Sequence, residues 1–274
     1  MTCATPVDCA PAMCRQLRLL QICMPWVALL VASSVAAVAA ADRSTTVKHE
    51  PVRIVALGGS TTASAKDWAP EIREAYADCL PRRLRSSGVS AQVYNAGIGD
   101  TTTRDAVERL DRDVRAHRPD IVVVQFGIND SWIDVDLGST SPRLTRAEFR
   151  NNLRAIIRQL KADGARVVLM TPNPMRWSDA YYVTAFEQHP GLLDTAAERG
   201  IDRLLEQYAS DVRTVAGSEH VALVDVYEEF ESYGRQSGHS VNELLLAGDG
   251  IHPNQAGQAL VCRLLAEELV RAVL

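Results

Sequence analysis

Ile121-Val122-Val123-Val124-Gln125-Phe126 is the stretch that most narrows the folds open to this chain. It is β-branched and apolar almost throughout, so it reads as a strand buried on both faces. A strand with no polar face needs cover on two sides, which puts it at the centre of a mostly parallel sheet between layers of helices. The rest of the sequence agrees. Ile54-Val55-Ala56-Leu57, Arg166-Val167-Val168-Leu169-Met170 and Val221-Ala222-Leu223-Val224 are further short apolar runs, and residues 91–95 read as another strand. Helical stretches alternate with them. Pro70 opens one over 71–87 that Gly88 closes, and a second over 103–117 stops ahead of Pro119. Thr145-Arg146-Ala147-Glu148 is a capping box that starts a third, running to Ala162. A long loop over 172–193 leads to a helix ending near 215, and a last helix covers 255–270. Five strands with intervening helices and no repeats predict one doubly wound, three-layer α/β/α domain.

The N-terminus is built differently. Arg15 and Arg18 precede an apolar run from Leu19 to Ala41, which ends in small residues before Asp42. That order predicts a secretory signal over 1–41, with an uncleaved membrane anchor as the alternative because the run is long. Residues 42–51 read as a polar linker and 52–274 as the folded domain. Export alters the cysteine count. Four of the six Cys lie in or before the apolar run, leaving Cys79 and Cys262 in expected helices. Two buried free thiols are the expectation, and a single disulfide is the alternative in an oxidising compartment. The formal net charge of -5 argues against a nucleic-acid partner, which would need a basic face. No His or Cys pair has the spacing of metal ligands, so neither metal nor other cofactor is expected.

Chemistry-bearing residues gather where the strands end. The first strand stops at Gly58-Gly59-Ser60, the second at Asn95-Ala96-Gly97 and the third at Gly127-Ile128-Asn129-Asp130. Parallel topology brings all three turns to one carboxyl edge, where open α/β sheets bind ligands. Just before the last helix comes Asp249-Gly250-Ile251-His252-Pro253. A Ser, a His and an Asp three residues before the His suit a nucleophile, its base and an orienting carboxylate. The Asn129 amide and the N–H groups of Gly97 and Ser60 could together receive an oxyanion. Asp130 reads as a brace for its own turn. Asp225, after the fifth strand, reads as a cap. His117, His189, His220 and His239 have no motif partners. Gly97-Ile98-Gly99 lacks the third glycine of a dinucleotide fingerprint and the Gly-Lys of a phosphate loop.

On these four motifs the chain resembles the SGNH hydrolases, also called GDSL esterases or lipases, over essentially the whole of 52–274. The resemblance implies a flavodoxin-like three-layer fold and ester hydrolysis without a metal. It implies Ser60 as nucleophile, His252 as base, Asp249 as orienter, and Gly97 and Asn129 as oxyanion donors. One position departs from the pattern: the family has Asp before the serine, and here Gly59 stands there.

The loops 131–144 and 172–193 carry Trp132, Arg143, Arg176, Trp177, Tyr181, Tyr182 and Phe186. Trp132, Arg143, Trp177 and Tyr181 are expected to bind substrate, since flat rings beside polar groups suit a sugar. The expected reaction is release of a short acyl group, acetyl above all, from a small-molecule or glycan ester. A lysophospholipase or thioesterase, an acyltransferase, and a silent carbohydrate-binding relative remain as alternatives. A membrane enters only if the N-terminal segment is retained.

Overall fold

In the computed structural model, which describes residues 50–64, 69–176 and 202–274, the apolar run at 121–125 forms β3 (Ile121–Gln125), and all five of its residues are buried. It lies at the middle of a five-stranded sheet with β1 (Val52–Gly58), β2 (Ala91–Gly97), β4 (Arg166–Met170) and β5 (Ala222–Val224). The spatial order is β2-β1-β3-β4-β5, and every pairing is parallel.

Successive β-strand side chains point to opposite faces, so β1 feeds two cores. Ile54 and Ala56 pack under α1 (Tyr76–Ser86) and the last helix, Gln255–Val273, through Leu80, Leu84, Val261 and Leu265. Val55 and Leu57 face the other way, against α5 (Arg146–Ala162) and α6 (Asp202–Glu219), through Phe149, Ile156, Tyr208 and Val212. Completely burying one such aliphatic side chain contributes about 1.5–3 kcal/mol, so both layers are needed to hold a strand with no polar face. The three-layer α/β/α architecture is the one the hydrophobic pattern calls for.

Local signals succeed where side chains satisfy their own backbone. Thr145 Oγ1 accepts the Glu148 N–H at 3.2 Å while Glu148 Oε2 accepts the Thr145 N–H at 2.9 Å, and α5 starts between them. They fail where a distant group takes over. Instead of beginning after Pro70, α1 begins at Tyr76. Gln255 Oε1 takes the N–H groups of Arg73 and Glu74, and Gln258 Oε1 takes that of Tyr76, so the last helix sets where α1 starts. The helix expected over 103–117 is interrupted, as α2 (Thr103–Glu108), α3 (Leu110–Asp113) and a 3₁₀ turn (Arg115–His117). The break is at Arg109, whose guanidinium turns inward. A helix over Val226–Gly234, α7, was not expected; Asp225 caps it by accepting the Glu228 N–H at 3.2 Å.

The expectation of two free thiols is corrected. Cys79 on α1 and Cys262 on the last helix, α8 (Gln255–Val273), form a disulfide with Cα atoms 6.4 Å apart. The two helices are neighbours on one face of the sheet, which only the packing reveals. The signal over 1–41, most of the linker, His189 and the residues Trp177, Tyr181, Tyr182 and Phe186 lie outside the described residues. No helix among the described residues is long and apolar enough to cross a membrane.

Candidate active site

The sheet register sets the site. Gly58 pairs with Gly97 on β2 and with Gln125 on β3, so the three strands end level and their turns meet. Gly58 cannot carry a side chain, because an added Cβ would lie 2.0 Å from Thr62 Oγ1. The chain then bends back, with Thr62 N and Ala63 N both donating to Gly59 O at 3.2 and 3.1 Å. This turn closes on backbone alone, so Gly59 replaces the family's Asp without opening it. Beneath it, Thr62 Oγ1 bonds the Tyr76 hydroxyl at 2.8 Å, and Thr61 Oγ1 donates to Gln125 Oε1 at 3.3 Å. The half-buried Ser60 is thus held out at the carboxyl edge.

His252 arrives from the opposite end of the chain on a tight loop before α8. Its Nε2 is 2.8 Å from Ser60 Oγ, and its Nδ1 is 2.6 Å from Asp249 Oδ2. Asp249 Oδ1 also accepts the N–H groups of Ile251 and His252, at 2.8 and 3.1 Å. Burial pushes the Asp249 carboxyl up, but the bonds from His252 and these N–H groups outweigh it and hold the pKa below its ordinary value. An ionised Asp249 fixes a proton on Nδ1, which leaves the Nε2 lone pair facing the serine.

Asn129 is in α4 (Ile128–Ser131), directly after β3. Its Nδ2 donates to Thr101 O at 3.0 Å, which orients the amide and leaves a second N–H. Asp130 beside it is buried. Thr103 donates to its Oδ1 twice, from N at 2.8 Å and from Oγ1 at 2.6 Å, and Gly127 N donates to Oδ2 at 3.1 Å. Burial pushes this carboxyl up to about 6 despite those bonds. Asp130 therefore ties the β3 turn to the start of α2, the bracing role its position suggests.

Gly97 departs from expectation. Its N–H is taken by Asn95 Oδ1 at 3.0 Å, and Asn95 Nδ2 donates to Thr62 O at 2.8 Å. An added Cβ at Gly97 would lie 2.3 Å from Ala63 N. Glycine is needed there so that two turns can touch, and its N–H is already spent. The sequence offered no sign of this, because the Asn95 side chain folds back only once both turns are in place.

A cleft of about 420 Å³ opens over Ser60 and His252, lined also by Asn129, Asp100, Trp132 and Arg143. Two of the four expected substrate residues, Trp132 and Arg143, are thereby brought to Ser60; Trp177 and Tyr181 are not described. Arg143 donates to Asp134 through Nε and Nη2, at 2.9 and 2.8 Å, and to Asp100 through Nη1. Asp100 has a φ of 59°, a left-handed conformation costing a non-glycine residue about 1 kcal/mol. A smaller recess of about 10 Å³ lies behind Ser60, between Gly59 and Phe126 to Asn129. Arg176 does not line the cleft; its N–H donates to Gly250 O at 2.8 Å and its Nη1 to Asp202 at 2.9 Å.

Sequence reasoning missed Arg109. It is 6 % exposed, and its Nη2 and Nη1 donate to the carbonyls of Gly58 at 2.9 Å and Ala96 at 2.7 Å. It thus joins the ends of β1 and β2 from below. A lone arginine inside an expected amphipathic helix carries no signal for that. Of the remaining histidines, His117 stacks on Tyr94 and His239 bonds Glu243.

Comparison with known proteins defines the class: this is a carboxylic ester hydrolase with a three-layer α/β/α fold. The chain belongs to the GDSL-like lipase/acylhydrolase family, whose model matches residues 56–260. It is 28% identical over 179 residues to an acetylxylan esterase of Geobacillus stearothermophilus, covering 65% of this chain and 72% of that protein. It is 25% identical to an arylesterase of Vibrio mimicus, covering 80% of this chain and 88% of the other. A crystal structure of a lipase/acylhydrolase from Enterococcus faecalis superposes with a TM-score of 0.60 at 26% identity, covering 81% of this chain and 96% of that one.

Proposed function

We propose that the protein removes short acyl groups, acetyl above all, from carbohydrate esters through an acyl-enzyme on Ser60. The observation that carries the mechanism is the unbroken hydrogen-bond line from Ser60 Oγ through His252 to Asp249. Ser60 Oγ attacks the acyl carbon as its proton passes to His252 Nε2, and Asp249 stabilises the imidazolium. The carbonyl oxygen becomes an oxyanion facing the Ser60 N–H and the Asn129 amide. His252 returns the proton to the departing alkoxide, and the alcohol leaves. Water then gives a proton to His252 and attacks the ester on Ser60, and His252 returns that proton to Ser60 Oγ as the acid leaves.

The walls of the cleft support the substrate class. Trp132 offers a flat apolar face, while Arg143, Asp100 and Asn129 offer polar groups, the combination that a sugar ring needs. A recess of about 10 Å³ has room for little more than a methyl group, in keeping with a small acyl chain. One relative is named as an acetylxylan esterase, which points the same way. The Cys79–Cys262 disulfide supports an exported protein, because such bonds persist in oxidising compartments.

The test is hydrolysis of 4-nitrophenyl esters of increasing chain length, together with acetate release from acetylated xylan, pectin and sialic acid. The expected result is a maximum at acetyl and measurable acetate from at least one glycan. Activity that climbs toward long chains, with no acetate released, would make the enzyme lipolytic instead.

A further inference from the structure

Beyond β4 the chain runs Thr171-Pro172-Asn173-Pro174-Met175-Arg176. Two prolines remove their own N–H donors, so the turn must be held by the groups that remain. Thr171 Oγ1 donates to Asp225 Oδ1 at 3.1 Å and accepts the Tyr227 N–H at 2.8 Å. Asp202, wholly buried at the start of α6, accepts the Met175 N–H on Oδ1 at 2.9 Å. Its Oδ2 takes Arg176 Nη1 and the Tyr227 hydroxyl, both at 2.9 Å. The turn is thus fastened at both ends to α6 and α7.

Its middle holds the loop that carries His252. Asn173 is 0 % exposed, and its Nδ2 donates to Ile251 O at 2.7 Å and to Pro174 O at 3.0 Å. The Arg176 N–H donates to Gly250 O at 2.8 Å. Gly250 and Ile251 are the two residues between Asp249 and His252. Two carbonyl acceptors fix which end of the Asn173 amide carries the N–H groups. Its Oδ1 is buried and has no hydrogen-bond partner. Buried polar atoms are as a rule paired, and one left unpaired destabilises the fold. An apolar side chain of similar shape would avoid that penalty, so the position calls for the N–H that reaches Ile251 O. That oxygen shares a planar peptide with His252 N, whose N–H donates to Asp249 Oδ1 at 3.1 Å. A donor on the oxygen therefore fixes the plane from which the imidazole is aimed. We infer that Asn173 is a positioning residue for the Asp249–His252 pair: through the Ile251 carbonyl it sets the His252 backbone, and so the ring between Asp249 and Ser60. The inference rests on His252 acting as the base for Ser60.

The test is the kinetics of Asn173→Leu and Asn173→Ala on 4-nitrophenyl acetate, at a temperature where circular dichroism shows them folded. The kcat of each is expected to fall on the order of 10- to 10²-fold with little change in KM, because a small misplacement of the base is enough. Leucine refills the space that alanine leaves open, so a role in packing alone would spare Asn173→Leu. A leucine variant with the wild-type kcat overturns the inference. A cycle with Asp249→Asn supplies a second readout. Once residue 249 no longer orients the ring, Asn173→Leu should lower kcat much less than it does in the wild type. An equal fold-loss in both backgrounds would mean that Asn173 acts elsewhere, which also overturns it. Proton NMR supplies a third, since the low-field resonance of the His252 Nδ1–H should move upfield in folded Asn173→Leu. An unchanged resonance, or failure of both variants to fold, would make Asn173 a structural residue only and overturn the positioning role. Wild-type kcat in Ser60→Ala and His252→Ala would instead overturn the mechanism itself, an outcome that the Asn173 variants do not touch.

Discussion

His252 Nε2 lies 2.8 Å from Ser60 Oγ, although 192 positions of sequence separate the two residues. Neither group is reactive alone at neutral pH, so their contact is the unit of function. Removing either should therefore cost as much as removing both. Ser60→Ala, His252→Ala and the double variant are expected to fall to one common low kcat. Steady-state kinetics on 4-nitrophenyl acetate checks this, and a single variant keeping more than about a tenth of the wild-type kcat would refute the role assigned to that residue.

Asp249 should act through His252 rather than on substrate. Asp249→Asn keeps the shape of the loop but favours the wrong imidazole tautomer, so kcat should fall on the order of 10²- to 10⁴-fold with the fold retained. Circular dichroism and kinetics on the same sample separate the two effects. Near-normal activity would show that another acceptor orients the ring.

Asn129→Ala removes one side-chain donor from the oxyanion. The expected loss is on the order of 10²-fold in kcat, with a smaller change in KM. A change confined to KM would assign the amide to substrate binding instead.

Asp130 gives the protein a pH-dependent stability of known sign. Its folded pKa of about 6 lies above the unfolded value near 3.8, so the folded state binds more protons between the two. Stability therefore falls as pH rises through this window, by about 3 kcal/mol in all. The stability of Asp130→Asn relative to the wild type should rise by about that amount between pH 3.5 and 7 in urea titrations. A flat difference would mean that the three bonds to the carboxylate cancel its burial.

The disulfide predicts a thiol count and a stability loss. Denatured protein comprising residues 42–274 should show no free thiol until it is reduced. Cys79→Ala with Cys262→Ala should cost several kcal/mol, with about 5 kcal/mol as the entropic expectation for so long a loop. Thermal unfolding measures this, and an unchanged melting temperature would count against a cross-link in the folded protein.

Periodicity and turn chemistry by themselves determined the strands, the three-layer class, the capping box of α5 and the approximate place of every motif that carries chemistry. These follow from short-range rules: a strand apolar on both sides must be covered twice, and Thr145 can satisfy the backbone three residues on. The Ser60, Asn129 and Asp249–His252 motifs were legible because each needs a fixed local spacing. Only the tertiary structure decided what happens between motifs. Gln255 and Gln258 delay the start of α1, Arg109 breaks the helix after β2, and Cys79 meets Cys262 across 183 positions. The same is true of Gly97, whose N–H is lost to Asn95, and of Asp100, whose left-handed turn is tethered by a distant arginine. A side chain that reaches across the fold for its hydrogen-bond partner leaves no periodic trace in the sequence, since its geometry exists only once the sheet and both helical layers have closed.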